Sequence, residues 1–419
     1  MTSAKTADAN QLWQQAHTHF ASGHTAHALH LFEQLANAGY ANAQCDLGRL
    51  HVFDLIPDAS PTRGLACLES AAHAGHPQAL YLLAVLSLGE RVLPLDADRL
   101  ANWVRLSAQA GYPPALRTLA VHWARFGSAQ LHSLGTLCLE HAAKGGDPVS
   151  LALLADRLAR GDGCEQNQVR ADAIAGLLVG TGLPVTTAKQ PLGPVLARPA
   201  QLNPLPILPR PDFVPALAAP SLKTLRAEPF VASAAQALGR EECRFVILLG
   251  APMLQPSVTV DPDGNVAPMQ LRTSYDMVFD PMLEDVTLRL IQRRMAGAVG
   301  LTLSHGEPLI LLRYAPGQEY RPHRDYLPPS KVIAVDDGGS GQREATVIAY
   351  LNEVEAGGLT QFPLLDLEVS PTAGSLLAFR NLDQDGQPEP RSLHAGLPVT
   401  AGMKWICTLW LREAPIRSN

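Results

Sequence analysis

The stretch "YRPHRDY" (residues 320–326) contains a histidine, one further residue and then an aspartate. Residues i and i+2 of a β-strand project from the same face, so His323 and Asp325 would point in one direction if this stretch is extended. Pro322 favours an extended backbone for the residue before it. These seven residues alone leave two interpretations open, a polar turn at the surface and a pair of metal ligands.

The chain around this stretch, from about residue 225 onward, is rich in short apolar runs. Four of them are "LILLRYAP" (309–316), "ATVIAYLNE" (345–353), "GSLLAFRN" (374–381) and "KWICTLWLRE" (404–413), and glycine and proline separate them. Many short strands with a few helices outside them predict a double-stranded β-helix (jelly roll) with flanking helices.

A third candidate metal ligand is His394, in "RSLHAG", which follows one of these predicted strands. After residue 200 the chain has only three histidines, His305, His323 and His394. Two histidines and one carboxylate on one face of an octahedron leave three positions open, the arrangement preferred by non-haem Fe(II) oxygenases. The sequence therefore favours a metal site formed by His323, Asp325 and His394.

Lys404 begins a predicted strand whose other residues suit burial. A buried lysine needs an anionic partner or carries a large desolvation cost, and a bound dicarboxylate would supply that partner. Tyr314, in "LLRYAPG", and Thr360, in "GGLTQFP", are two further candidates for holding such a ligand.

The order of these motifs resembles that of the 2-oxoglutarate-dependent prolyl 4-hydroxylases. The likeness covers about residues 225–415 and includes "RYAPGQEYRPHRDY", "GGLTQFP" and "SLHAGLPVTAGMKWICTLWLRE". Upstream of these, "REEC" (240–243) and "LRTSYD" (271–276) are similar to two earlier signatures of that family.

The resemblance implies a role for each matching residue. It makes His323, Asp325 and His394 the iron ligands, pairs Lys404 with the far carboxylate of 2-oxoglutarate, and has the cosubstrate accept hydrogen bonds from Tyr314 and Thr360. It also implies a peptide-substrate channel lined by Tyr320, Arg343 and Trp410. The implied cofactors are Fe(II), 2-oxoglutarate and O2, and ascorbate, which the family commonly uses, stays an open question.

The first 180 residues contain an internal repeat. The segments "NAGYANAQCDLG" (37–48), "HAGHPQALYLLA" (73–84), "QAGYPPALRTLA" (109–120) and "KGGDPVSLALLA" (144–155) align without gaps, and their glycines are 36, 36 and 35 residues apart. A helical pattern precedes each glycine and a second helical pattern follows it, so each glycine should end a helix in a left-handed conformation. Stacked helix pairs predict an α-solenoid.

This repeat pattern resembles Sel1-like repeats, which are related to the tetratricopeptide repeat, over about residues 10–175. Such a solenoid commonly binds a protein partner, and we expect it to recruit the substrate. The alternative is that the solenoid only stabilises or spaces its neighbour.

A proline-rich segment separates the two halves. Residues 184–220 contain ten prolines, a density that excludes a long helix and most interior strands. The predicted domains are therefore a repeat domain at 1–180, a linker at 181–224 and an oxygenase domain at 225–419. Within the last of these, the glycine-rich segment 327–343 is expected to be either a mobile lid or a disordered hairpin tip.

Composition excludes several classes of protein. Hydrophobic residues make up 47% and charged residues 17% of the chain, which is typical of a folded protein with a buried core. The net charge is −6 and neither half has a basic excess, so nucleic acid is not an expected partner. Six scattered cysteines, the absence of an apolar leader in the first residues and the lack of a long apolar span predict a cytoplasmic protein that does not cross a membrane.

The expected function combines the two halves. We expect an Fe(II)- and 2-oxoglutarate-dependent dioxygenase that hydroxylates a proline of a protein recruited by the repeats, with release of succinate and CO2. Two alternatives stay open: hydroxylation of a free amino acid or other small molecule, and an adaptor protein whose oxygenase domain is idle.

Overall fold

The structure, a computed structural model, describes residues 3–89, 92–185, 202–260, 266–268 and 271–417 of the chain. Part of the predicted linker, residues 186–201, lies outside the described residues. The first half forms ten helices within this described part: α1 Ser3–Ala21, α2 Thr25–Asn37, α3 Ala41–Val52, α4 Pro61–His73, α5 Pro77–Gly89, α6 Ala97–Gln109, α7 Pro113–Phe126, α8 Ala129–Lys144, α9 Pro148–Arg160 and α10 Gln168–Leu177.

The repeat glycines end the first helix of each pair, as the sequence predicts. Gly39, Gly75, Gly111 and Gly146 have φ values of 83°, 79°, 83° and 91°, in the left-handed region. The residue after each glycine donates a backbone hydrogen bond five residues back, as from Tyr40 to Leu35 (3.0 Å). This bond satisfies a carbonyl at the helix end and turns the chain into the next helix. The α-solenoid of helix pairs is thereby confirmed.

The described residues of the second half form two main antiparallel sheets, two further two-stranded sheets and three α-helices, α11 Val214–Leu217, α12 Arg240–Gly250 and α13 Val286–Ala298. Its strands are β1 Lys223–Arg226, β2 Val231–Ala234, β3 Gln255–Pro256, β4 Val258–Val260, β5 Val266–Pro268, β6 Tyr275–Val278, β7 Ile310–Tyr314, β8 Tyr320–His323, β9 Arg343–Tyr350, β10 Ala356–Gly357, β11 Thr360–Phe362, β12 Leu367–Val369, β13 Leu376–Arg380, β14 His394–Gly396, β15 Val399–Ala401 and β16 Lys404–Arg412.

The larger sheet has the strand order β1-β2-β13-β9-β16-β7-β6-β3, and the smaller one has the order β12-β11-β14-β8. The residues of β9 alternate between two environments. Ile348 and Tyr350 belong to the apolar cluster between the sheets, whereas Val347 and Ala349 belong to the core that contains the helices. The predicted α + β class, with two β-sheets and flanking helices, is therefore confirmed.

One hydrophobic cluster runs from the repeats into the second half. It includes Leu116 and Leu153 of the solenoid together with Phe245 of α12, Leu288 of α13 and Leu409 of β16. The two halves thus share a core although a proline-rich segment joins them. The domain boundaries at 180 and 225 stay a prediction, because the packing between the halves is continuous.

Buried ion pairs cross the same boundary. Arg157 of α9 binds both carboxylate oxygens of Glu241 at 2.8 and 2.7 Å. Its neighbour Glu242 accepts a bond from Arg125 of α7 at 2.6 Å. These two glutamates belong to the "REEC" stretch, so that stretch attaches the second half to the repeats. Buried charges that lose their partner are strongly destabilising, so these pairs fix the relative position of the two halves.

The described part of the linker lies on the solenoid. We call residues 202–213 the proline-rich strap. The side chain of Gln109 donates to the carbonyl oxygen of Pro206 (3.1 Å) and accepts from the backbone N–H of Leu208 (2.7 Å). His141 donates to the carbonyl of Asn203 (2.8 Å), and the strap ends at the buried Phe213. The strap is therefore bound to the solenoid surface.

The predicted lid, residues 327–343, forms two short 3₁₀ turns, Pro329–Lys331 and Val335–Asp337. Gln342 holds its two ends together by accepting from the backbone N–H of Leu327 and donating to its carbonyl oxygen (2.8 Å). Whether this segment moves as a lid stays a prediction. No helix among the described residues is long and apolar enough to cross a membrane.

Candidate active site

The three predicted metal ligands converge between two neighbouring strands of the smaller sheet. His323 at the end of β8 pairs directly with His394 at the start of β14. Asp325 follows β8 by two residues. Its Oδ1 lies 3.6 Å from Nε2 of His323, and its Oδ2 lies 3.6 Å from Nε2 of His394. One possible ligand atom from each residue lies within 4.8 Å of the others. Three donors this close form one site.

Hydrogen bonds orient both imidazole rings. Nδ1 of His323 donates to the carbonyl oxygen of Arg321 (2.8 Å), and Nδ1 of His394 donates to that of Ser392 (3.0 Å). Because a carbonyl oxygen only accepts, each Nδ1 carries the hydrogen and each Nε2 presents a lone pair to the site. The backbone thus selects the tautomer that binds a metal through Nε2.

The electrostatics of the site favour the metal-binding protonation states. Burial, and then the neighbouring His394, lower the pKa of His323 to about 3, so its imidazole is neutral. Burial alone would raise the pKa of Asp325, but the two histidines, Arg343 and a hydrogen bond from Thr346 lower it overall. Two imidazoles and one carboxylate, buried and facing one another, fit an Fe(II) ion with open coordination positions.

Lys404 lies in the same cavity as these three side chains. It is 3% exposed, and its Nζ lies 5.6 and 5.8 Å from the ring centres of Tyr314 and Tyr350. Burial lowers its pKa to about 7, and no carboxylate of the described residues pairs with it. A buried ammonium group without a counter-ion is a strong binding group for an anion. The residues therefore fit a bound dicarboxylate.

Tyr314 and Thr360 line this cavity as well. Tyr314 is the cross-strand partner of Lys404, and burial raises the pKa of its phenol to about 12, so the hydroxyl keeps its hydrogen. Thr360 accepts a hydrogen bond from the hydroxyl of Tyr350 (2.7 Å). Both predicted cosubstrate residues are thus placed beside Lys404, and their roles toward a ligand stay proposals.

Comparison with known families agrees with this geometry. Residues 309–412, which hold all three candidate ligands and Lys404, match the model of the 2OG-Fe(II) oxygenase superfamily. The chain contains a 2OG-Fe(II) oxygenase domain. The resemblance drawn from the sequence is confirmed at this level.

The relatives of the oxygenase domain include plant enzymes. The chain is 35% identical over 195 residues to "Probable prolyl 4-hydroxylase 10" of Arabidopsis thaliana, and the match covers 42% of this chain and 66% of that protein. The chain thus spans just under two thirds of the length of this curated relative.

Two solved structures match parts of the chain. A viral collagen prolyl hydroxylase from Paramecium bursaria Chlorella virus-1, in complex with 2-oxoglutarate, matches at 26% identity and a TM-score of 0.34, covering 43% of this chain and 95% of that chain. A Sel1 repeat protein from Oxalobacter formigenes matches at 16% identity and a TM-score of 0.34, covering 42% and 81%.

Two of the three predicted substrate residues face the cavity of the oxygenase domain. The ring of Tyr320 stacks on that of His323 with centres 3.4 Å apart, and Trp410 lines the cavity too. Arg343 lies behind Trp410, with its guanidinium 3.7 Å from the indole ring centre. It forms an ion pair with Glu307 (2.7 Å). The structure therefore places Arg343 where it supports Trp410.

Several residues of the site were not found from the sequence. Thr346 donates a hydrogen bond to Asp325 (2.8 Å), and Tyr350 bonds Thr360. The period-2 pattern of "ATVIAY" places both on the face of Ile348, so strand alternation would have found them. Arg272, within the quoted "LRTSYD", lines the cavity. Glu307 has no sequence signal, because its partner Arg343 is 36 residues away.

Proposed function

We propose that this protein is an Fe(II)- and 2-oxoglutarate-dependent dioxygenase that hydroxylates a prolyl residue of a peptide or protein. One observation carries the proposal: a buried His–Asp–His set shares a cavity with a buried lysine that has no counter-ion among the described residues. The first group fits the metal, and the second fits the far carboxylate of the cosubstrate.

Each residue of the site has a defined task in this proposal. His323, Asp325 and His394 would hold Fe(II), with the two imidazoles locked by their Nδ1 hydrogen bonds. Lys404 would pair with the distal carboxylate of 2-oxoglutarate, and Tyr314 would donate a hydrogen bond to it. When bound, the iron and cosubstrate supply the oxidising power for C–H hydroxylation, with succinate and CO2 as products. The apolar lining, including Leu312, excludes water from the reaction.

The proline specificity rests on the relatives, which are named as prolyl 4-hydroxylases, and on the two aromatic residues at the cavity. Tyr320 and Trp410 offer flat apolar surfaces against which a pyrrolidine ring can pack. Arg343, stacked on Trp410, would keep the indole in place. A free amino acid or another small molecule is the competing substrate class.

Succinate release tests the enzymatic proposal. The full-length protein with Fe(II), 2-oxoglutarate and a panel of proline-containing peptides should release succinate and add 16 Da to a proline, and His323→Ala should abolish both. Omitting ascorbate from the same assay shows whether it is required. Succinate release together with hydroxylation of a free amino acid, but of no peptide, would contradict the peptide substrate. No turnover and no iron binding would reject the enzyme.

We further propose that the repeats recruit the protein substrate. The support is the proline-rich strap, which shows that side chains of α6 and α8 can hold an extended, proline-containing chain through its backbone. A protein substrate found by its +16 Da mark should protect the helices of the repeats from hydrogen exchange. Protection confined to the oxygenase domain would contradict recruitment.

The six cysteines, all free thiols, support the proposed cytoplasmic location.

A further inference from the structure

A buried hydrogen-bond chain leads from Asn381 to the candidate iron ligand Asp325. Nδ2 of Asn381 donates to Oγ1 of Thr346 (2.9 Å), and Oγ1 of Thr346 donates to Oδ2 of Asp325 (2.8 Å). Asn381 and Thr346 are both 0% exposed. They lie side by side because Thr346 of β9 pairs with Phe379 of β13, and Asn381 follows the last residue of β13.

The direction of this chain is set by its two ends. A carboxylate that binds a metal only accepts hydrogen bonds, so the single hydrogen of the Thr346 hydroxyl must point to Asp325. The Thr346 oxygen can then only accept from its other neighbour. The amide nitrogen of Asn381 can donate and the amide oxygen cannot, so the orientation of Asn381 follows from the carboxylate.

Asn381 is itself held in place by its backbone. Its N–H donates to the carbonyl oxygen of Glu344 (2.8 Å), and its carbonyl oxygen accepts from the N–H of Glu389 (2.8 Å). Its side-chain Oδ1 has no hydrogen-bond partner in the part of the chain that the structure describes. Nδ2 of this buried amide bonds Thr346 whereas Oδ1 is left unbonded, so the position of the side chain favours the contact with Thr346.

We propose that Thr346 and Asn381 are positioning residues for the metal site, a role that rests on the proposed function. Thr346 fixes Oδ2 of Asp325, and Asn381 keeps the Thr346 hydroxyl pointing at that oxygen. The other oxygen, Oδ1, lies 3.6 Å from Nε2 of His323. The carboxylate therefore stays in one rotamer, turned toward the two imidazoles, before a metal arrives.

Metal affinity measures this role without any turnover. Loss of a residue that orients a metal ligand typically weakens metal binding by about 10–100-fold. Thr346→Val removes the hydroxyl at nearly constant volume, so the Mn(II) dissociation constant of the full-length protein should rise by about that factor. Thr346→Ser keeps the hydroxyl and should bind Mn(II) within about threefold of the wild type, well below the loss of about 10–100-fold expected for Thr346→Val.

Asn381 acts through Thr346, which gives a second test. Asn381→Ala should weaken Mn(II) binding in the wild-type background, by less than Thr346→Val does. In the Thr346→Val background it should add nothing, because the residue through which it acts is already gone. If the two substitutions weakened the site independently, their effects on the Mn(II) dissociation constant would instead multiply.

The control is a buried threonine away from the metal site. Thr287 of α13 is 4% exposed and hydrogen-bonds Thr118 of the solenoid (3.2 Å). Thr287→Val should lower the unfolding temperature and leave the Mn(II) dissociation constant unchanged. Free Mn(II) is counted by its EPR signal, and circular dichroism checks that each variant is folded.

The outcomes separate the inference from the function on which it rests. Weak Mn(II) binding by Thr346→Val, with rescue by serine and no further loss with Asn381→Ala, supports it. Wild-type affinity in both Thr346→Val and Asn381→Ala overturns it while leaving the metal site intact. Failure of the wild-type protein to bind Mn(II) at all removes the metal site and the inference together.

Discussion

Replacement of Lys404 by methionine is expected to stabilise the ligand-free protein while removing its affinity for 2-oxoglutarate. Burial lowers the pKa of Lys404 from 10.5 to about 7. A pKa difference of one corresponds to about 1.4 kcal/mol, so keeping the charged form inside the protein costs up to about 5 kcal/mol. Methionine has a similar length and no charge, so the variant avoids this cost.

The gain in stability should depend on pH in a defined direction. Below pH 7 the lysine is charged in both the folded and the unfolded chain, and its full cost is present. Between pH 7 and 10.5 the unfolded chain binds the proton and the folded protein does not, so wild-type stability rises with pH. The advantage of Lys404→Met should therefore be largest below pH 7 and disappear near pH 10.5.

The ligand should offset part of the variant's advantage in stability. With Mn(II) and 2-oxoglutarate present at about 100 times the dissociation constant, the wild type gains about 2.7 kcal/mol. The variant should gain only what Mn(II) alone provides, because its methionine cannot pair with the distal carboxylate. Lys404 thus lowers the stability of the ligand-free fold and provides the affinity for the cosubstrate.

Urea unfolding of both proteins at pH 6.5 and pH 9, with and without 2-oxoglutarate, tests this reasoning. Lys144→Met, at an exposed position in the last turn of α8, controls for the loss of a lysine as such and should change stability little. The reasoning is refuted if Lys404→Met is less stable than the wild type at pH 6.5 without ligand. Unchanged 2-oxoglutarate affinity in the variant would refute the assigned role of the lysine.

Three further predictions concern the interface, the repeats and the pH dependence of binding. Glu241→Gln leaves the fully buried guanidinium of Arg157 without its counter-ion and should destabilise by about 3–5 kcal/mol, whereas Glu33→Gln, in an exposed ion pair, should cost less than about 1 kcal/mol in the same thermal unfolding assay. Gly111→Ala should destabilise by about 1 kcal/mol in chemical unfolding, purely through its φ of 83°, because beyond its two chain neighbours no atom of the described residues lies within 4 Å of the added methyl group; an effect near zero would contradict the left-handed turn. Calorimetry should show 2-oxoglutarate binding more weakly as the pH rises above about 7, where free Lys404 loses its proton, and a flat profile from pH 6 to 9 would count against that lysine as the anion site.

The parts of this molecule that follow local rules could be predicted from the sequence. A left-handed turn favours glycine, so the spacing of Gly39, Gly75 and Gly111 predicted where each helix pair turns. A strand places i and i+2 on one face, and the order of His323, Asp325, His394 and Lys404 along the chain matched a known family. Each of these signals lies within a few residues or in the order of motifs.

The parts that depend on distant pairing had no such signal. Arg157 and Glu241 are separated by 84 residues, and neither neighbourhood indicates that the two will meet. Asn381 reaches Thr346 only because β13 and β9 are adjacent in the sheet. The sequence of the strap predicts only a linker, since no nearby residue indicates that Gln109 will hydrogen-bond the backbone of the strap. Such contacts are set by tertiary packing, which a single sequence does not display.

The shared core changes what the repeats can mean for catalysis. Helix α12 contributes Glu241 and Glu242 to arginines of the repeats and Phe245 to the common apolar cluster. Without the solenoid, Glu241 would lose Arg157 and stand as a charge at a newly exposed apolar surface, whereas Glu242 would keep Arg294 of α13. The oxygenase domain is therefore stabilised by its contact with the solenoid. A substrate held on the repeats would therefore sit at a fixed distance from His323, not on a flexible arm, and only target prolines at a suitable spacing from the bound segment would reach the site.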